Sequence, residues 1–223
     1  MSDAARGAGR RVELTGLRRG TVRSMSASAV VPQFTLQRDV PTAGLRELRR
    51  ELKSGGHAAT LTDVITLACA RALREHPGVN ASYGDDCVIE HERVNIGLAL
   101  ALDDGLTVPV ILDADTRTLG GLGSERLRLA EAARARSLRP EEIFAGTFSI
   151  SNLGPLGVDR FQALVLPPQA AILAIGSLRD SVSLSASFDH RAVDGAPAAR
   201  FLATIARLLV EPAWALEAED LSR

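Results

Sequence analysis

Ser187-Phe188-Asp189-His190-Arg191-Ala192-Val193-Asp194-Gly195 is the stretch that decides the reading of this chain. Before it, Val182 to Phe188 alternates apolar and small polar residues, the period of a strand with one face against a core. After it, Ala198, Phe201, Leu202, Ile205, Leu208 and Leu209 recur at helical spacing, and Pro212 closes the pattern. His190 therefore stands at a strand end, before a turn and a helix, with backbone fixed on both sides. That placement suits a general base, whose ring must be aimed at a proton within hydrogen-bonding reach. The plain alternative is a surface histidine in a local ion pair with Asp194, since an H-x-x-x-D-G string alone recurs by chance.

Outward from this segment, strands are expected at Phe148 to Ser151, Ala163 to Val165, Ala170 to Gly176 and Val182 to Ser187. Upstream, Gln33 to Val40 reads as a strand, and Pro41-Thr42 opens a helix carrying Leu45, Leu48 and Leu52. Leu61 to Glu75 is a second helix, ended by Pro77-Gly78, and Leu119 to Ala135 a charged amphipathic one. Between them come strands at Cys87 to Glu90, Val94 to Leu102 and Thr107 to Leu112. The last two are separated by Asp103-Asp104-Gly105, a hairpin signal. Helices and strands interleave without strict βαβ alternation, which predicts an α/β fold with a mixed sheet covered by helices. Met1 to Arg11, rich in Gly, Ala and Arg, reads as a disordered tail, leaving 12–223 as one domain.

At 223 residues the chain can bury a sizeable core. Its 26 basic and 27 acidic residues are interspersed, so there is no electrostatic footprint for nucleic acid. No apolar stretch is long enough to span a bilayer, and no signal-peptide core follows Met1. Cys69 and Cys87 form neither a metal set nor a disulfide framework, which fits a reduced, cytoplasmic compartment and no metal. His57, His76 and His91 have no motif around them and read as surface residues.

A second signature lies upstream, Gly146-Thr147-Phe148-Ser149-Ile150-Ser151-Asn152-Leu153-Gly154. Together with the His190 segment it resembles the catalytic domain of the dihydrolipoamide acyltransferases of 2-oxoacid dehydrogenase complexes. Chloramphenicol acetyltransferase is a more distant relative with the same fold. L-T-G-L-R-R near the start, P-Q-F-T-L-Q-R-D-V, D-G-L-T-V-P-V and P-P-Q-A-A-I-L-A-I-G extend the resemblance from about Val12 to Pro212. It implies a two-layer, chloramphenicol acetyltransferase-like sandwich and homotrimers with active sites between subunits. It also implies His190 as the base that deprotonates the acceptor, Ser151 as the oxyanion donor, and no acyl-enzyme. Ser149, on the same strand face, is the fallback donor. Asp194 is implied to form a buried structural pair with Arg18, and Gly195 to let the backbone turn into the last helix. Ser149, Asn152, Gly154, Asp189 and Gly195 lie close enough in sequence to line the substrate or CoA channel.

Competing chemistries fit less well. A Ser–His–Asp hydrolase wants a nucleophile on a G-x-S-x-G elbow, and the chain has none. Gly120-Gly121-Leu122-Gly123 has no preceding apolar strand and no P-loop lysine. Peptide condensation domains carry H-H-x-x-x-D-G, but Asp189 replaces the first histidine and the chain is about half the size required. A non-catalytic scaffold is disfavoured by the intact Arg18, Ser151, His190 and Asp194. The chain carries no lipoylation hairpin and no swinging-arm linker. The Met1-Ser2-Asp3 start therefore predicts a stand-alone enzyme using acetyl-CoA as donor cosubstrate, with a small-molecule hydroxyl, as in tetronate pathways, as acceptor. The alternative is the core of a dihydrolipoamide acyltransferase. A discrete trimer is expected rather than a cubic cage.

Overall fold

The computed structural model describes residues 10–56 and 58–217; most of the expected N-terminal tail, and His57, lie outside the described residues. The first elements are α1 (Gly16–Ser28), β1 (Gln33–Pro41), α2 (Ala43–Ser54), α3 (Leu61–Glu75), β2 (Ala81–Gly84) and β3 (Cys87–Glu90). Next come β4 (Ile96–Leu98), β5 (Leu100–Leu102), β6 (Gly105–Thr107), β7 (Val110–Ile111), α4 (Leu119–Arg134) and α5 (Glu141–Phe144). The last are β8 (Phe148–Asn152), β9 (Ala171–Ile175), β10 (Ser181–Asp189), α6 (Gly195–Val210) and α7 (Trp214–Glu217).

Six strands form one mixed sheet in the order β1-β10-β9-β8-β4-β7. β9, β8 and β4 run parallel, while β1, β10 and β7 pair antiparallel to their neighbours. The alternation in β10 gives the sheet two unlike faces. Val182, Leu184, Ala186 and Phe188 are fully buried in the core, with Phe148, Ile150 and Leu173 from the next strands and Phe201, Ile205 and Leu209 from α6. Phe201 meets Phe148 and Phe188 edge-on, at 5.7 and 6.3 Å between ring centres, a favoured aromatic geometry. The opposite face is small and polar: Ser183, Ser185 and Ser187 of β10 lie in register beside Asp39, Gln37 and Thr35 of β1. The connection from β8 to β9 crosses this face, tied down by Ser28 Oγ–H to the Val165 carbonyl and by Val165 N–H to Gln33 Oε1.

Four sequence expectations change. Ala163 to Val165 is not a strand, because Gln33 and Ser28 side chains satisfy its backbone where a ladder would. Val94 to Leu102 is two strands: β4 joins the main sheet, while β5 forms a separate hairpin with β6 across Asp103-Asp104. Thr107 to Leu112 divides likewise, with Thr107 ending β6 and β7 covering Val110–Ile111. α1 is additional; Thr15 caps it by accepting the Arg18 N–H at 3.1 Å, and it lies against the β5–β6 hairpin.

Two buried acids tie the helices together. Asp63 completes a capping box with Thr60 at the start of α3, and its fully buried carboxylate accepts from Arg126 Nε at 2.8 Å. Arg126→Met is expected to cost roughly 3 kcal/mol in urea unfolding, because it leaves a buried carboxylate without its partner. Glu142 is also buried; desolvation pushes its pKa up, but bonds from Arg139 and Arg128 outweigh that and hold it at about 2, below its ordinary 4.5. A depressed carboxylate stabilises above its unfolded pKa, so this contribution is present above pH 4.5 and lost as the pH falls towards 2. Acid titration of Glu142→Gln is expected to show a shallower stability loss across that window than the parent.

Candidate active site

β10 delivers His190. Its backbone N–H donates to the Pro32 carbonyl at 2.9 Å, and its ring tilts over Phe34 with centres 4.6 Å apart. Asp189 is buried and takes a fork from Arg191, Nε at 2.9 Å and Nη2 at 2.7 Å, plus the Arg191 N–H at 3.0 Å. The Asp189 carbonyl accepts the N–H groups of Ala192 and Val193, closing the turn around the histidine. The His190 side chain is about half exposed, and its Nδ1 lies 3.7 Å from Asp194 Oδ1. Asp189 is therefore an anchor beneath the turn, where the sequence placed it in the channel.

The expected buried Arg18–Asp194 pair is not formed within one chain. The Asp194 side chain is exposed, and the basic group near it is His190; Arg18 is exposed on α1. Gly195 begins α6 without a left-handed φ and with open space where a Cβ would stand, so the turn does not require glycine. Among the described residues no cluster of three or more His, Cys, Asp or Glu could hold a metal.

β8 carries the two serines in different states. Ser149 is fully buried and its Oγ–H donates to Gln169 Oε1 at 2.7 Å, which commits the fallback hydroxyl to the fold. Ser151, one pleat nearer the strand end, is partly exposed, and its hydroxyl bonds to no described residue. Asn152 is held from both ends, its Oδ1 accepting the Gly154 N–H at 3.0 Å and its Nδ2 donating to Thr62 at 3.1 Å. Gly154 must be glycine: a Cβ there would stand 2.4 Å from the Gly176 carbonyl oxygen.

One chain does not bring Ser151 and His190 together. The row through Ser151 runs across Ala174 to Ser185, five residues before His190. At strand dimensions this is about 17 Å along β10 and about 10 Å across two strand spacings.

Beyond the end of β8 opens a cleft of about 720 Å³. Asn152, Gly154, Gly176 and Ser177 form one wall, Thr60 and Thr62 another, and Arg49, Lys53 and Arg179 bring positive charge. The sequence marked Asn152 and Gly154 but gave no sign of Arg49 or Lys53, ordinary polar-face residues of an amphipathic helix. Nor did it single out Gln169 or Arg191. His76 and His91 are not simple surface residues: His76 Nε2 meets Thr204 Oγ1 at 2.9 Å and His91 Nε2 meets Ser82 Oγ at 2.7 Å. Burial lowers both their pKa values.

Residues 6–217 match the family model for the 2-oxoacid dehydrogenases acyltransferase (catalytic domain). The dihydrolipoyllysine-residue acetyltransferase component of the pyruvate dehydrogenase complex of Rickettsia bellii is 37% identical over 87% of this chain; the match spans 51% of that protein, so the chain covers about half its length. The dihydrolipoamide acetyltransferase of Azotobacter vinelandii superposes with a TM-score of 0.89 at 30% identity, covering 97% of this chain and 98% of that one. It was investigated for the roles of a serine, a histidine and an asparagine in its catalytic mechanism. The cubic core of a pyruvate dehydrogenase multienzyme complex superposes equally well, at a TM-score of 0.89 and 31% identity over 97% and 98% of the two chains. Chloramphenicol acetyltransferase, 14% identical with a TM-score of 0.54 over 84% of this chain and 94% of that one, shares the fold alone. The expected two-layer α/β architecture, with helices on one face of a mixed sheet, is the one observed. With matches of this extent and identity, the chain belongs to the 2-oxoacid dehydrogenase acyltransferase catalytic-domain family.

Proposed function

We propose that this domain transfers an acyl group between coenzyme A and the thiol of dihydrolipoamide, in a site shared by neighbouring subunits. The observation that carries the reading is the pairing of a half-exposed His190 on a fixed turn with an uncommitted Ser151 hydroxyl on the same sheet. His190 takes the proton of the attacking thiol. The thiolate adds to the thioester carbonyl, and Ser151 Oγ–H donates to the resulting oxyanion. Collapse of the tetrahedral intermediate expels the other thiolate, which takes back the proton held on the imidazolium. No acyl-enzyme is needed.

The Azotobacter enzyme was studied at a histidine and, four residues later, an asparagine; at that spacing this chain has Asp194, a carboxylate beside the His190 ring. The basic cleft suits the phosphates of CoA, with Arg49, Lys53 and Arg179 around them and the Asn152–Gly154 wall leading towards Ser151. The separation of Ser151 and His190 within one chain supports a site completed by a second copy, as in a trimer.

The acceptor favoured by the relatives is dihydrolipoamide, since the Rickettsia protein is a component of a pyruvate dehydrogenase complex. A small-molecule hydroxyl of tetronate type, the first expectation from the sequence, has no support among the relatives described. Turnover with acetyl-CoA and dihydrolipoamide, set against acetyl-CoA and primary alcohols, tests the choice. A thiol preference is expected; faster transfer to an alcohol would overturn it. Ser151→Ala is expected to keep KM and lose roughly 10²–10³-fold in kcat, the effect of one oxyanion donor. Unchanged turnover would move that role to backbone amides.

A further inference from the structure

We infer that Tyr83 is a positioning residue for His190, acting through Arg191; the inference rests on the function proposed above. The Arg191 guanidinium carbon stands 4.2 Å over the centre of the Tyr83 ring, a cation–π contact. The same guanidinium forks onto the buried Asp189, and Asp189 and Arg191 flank the histidine directly. Tyr83 thus closes the outer face of a clamp whose inner face is the Asp189 carboxylate.

The hairpin that carries Tyr83 is itself fixed. Asp85 and Asp86 both have positive φ, 51° and 57°, the geometry of a two-residue turn that keeps β2 and β3 in register. Tyr83 OH reaches Asp86 Oδ1 at 3.3 Å. The Ala81 carbonyl accepts the Ala170 N–H at 2.8 Å, and the Ala170 carbonyl accepts the Asp189 N–H at 2.8 Å. Backbone and side chain therefore run in parallel from one hairpin to the same turn. The backbone path sets where the turn lies, and the Tyr83–Arg191–Asp189 stack sets how firmly its last residues are held. The His190 ring, half exposed and touching Phe34 on one side, depends on that firmness for its aim.

Removing the ring face should loosen the clamp without touching Ser151 or the basic cleft. Tyr83→Leu is expected to lower kcat about 5-fold or more, leaving KM for CoA and the melting temperature near the parent values. Tyr83→Phe keeps the ring and should restore turnover to within about two-fold. In an Arg191→Met background Tyr83→Leu should add nothing, as residues acting through one contact are not additive. A second readout does not depend on turnover. The His190 ring-proton resonance, assigned by its loss in His190→Ala, should be sharp in the parent and in Tyr83→Phe and broadened in Tyr83→Leu. An unchanged resonance in Tyr83→Leu overturns the inference whatever the activity. So does an equal effect of Tyr83→Leu with and without Arg191. Absence of acyl transfer in the parent, with the resonance behaving as expected, overturns the proposed function and leaves the clamp standing.

Discussion

His190→Ala is expected to lower acyl-transfer turnover by about 10³-fold with the fold intact, within the roughly 10²–10⁴-fold that a positioned general base supplies. Among the described residues, the other two histidines cannot substitute from where they stand. His76 is bonded to Thr204 on α6, and His91 is bonded to Ser82 on β2. The fold should survive because the turn is held by its neighbours: the Asp189–Arg191 fork and the Ala192 and Val193 N–H groups do not involve the imidazole. The ring surrenders one tilted contact with Phe34 and a 3.7 Å approach to Asp194, both at the surface. Steady-state rates with acetyl-CoA and dihydrolipoamide, beside circular dichroism and melting curves, give the comparison. Near-parental turnover would remove His190 from the mechanism, and a collapsed melting curve would make its role architectural.

Local patterns carried the elements over; contacts between distant segments did not come with them. α3 has the span its apolar spacing and the Pro77 stop require, and β3 the span of its β-branched run. α1 carries no legible apolar stripe, because Leu17, Val22 and Met25 are its only large apolar residues and only Ser28 is buried, although Thr15 was a readable cap. Leu164 and Val165 resemble a strand in composition, yet two side chains of distant residues take up that backbone. The same limit applies at the site. Ser149 and Ser151 are equivalent by strand period, and only Gln169, brought alongside by the chain's return, separates a committed hydroxyl from a free one. Asp189 looked like a channel residue because it adjoins the histidine. Its burial against Arg191 follows from the β2–β3 hairpin packing there, which no local string encodes.

Mixing inactive His190→Ala chains with inactive Ser151→Ala chains is expected to restore activity, the second large effect. Register puts the two residues on different strands and at different heights of one sheet, about 17 Å apart along β10, so on the proposed reading the site is completed by a second chain. A neighbour that presents its Ser151 to this chain's His190 supplies what is missing. In a cyclic assembly formed from equal amounts of the two variants, about one interface in four inherits both intact residues. Activity should therefore rise from the near-zero of either variant to about a quarter of the parent's. Subunit exchange must be shown first, by mixing differently tagged chains and recovering both tags in one particle. Sedimentation of the parent then distinguishes a discrete trimer from a cubic core of the kind a related complex forms. A fully active monomer, or no recovery after demonstrated exchange, would put both residues' work inside one chain.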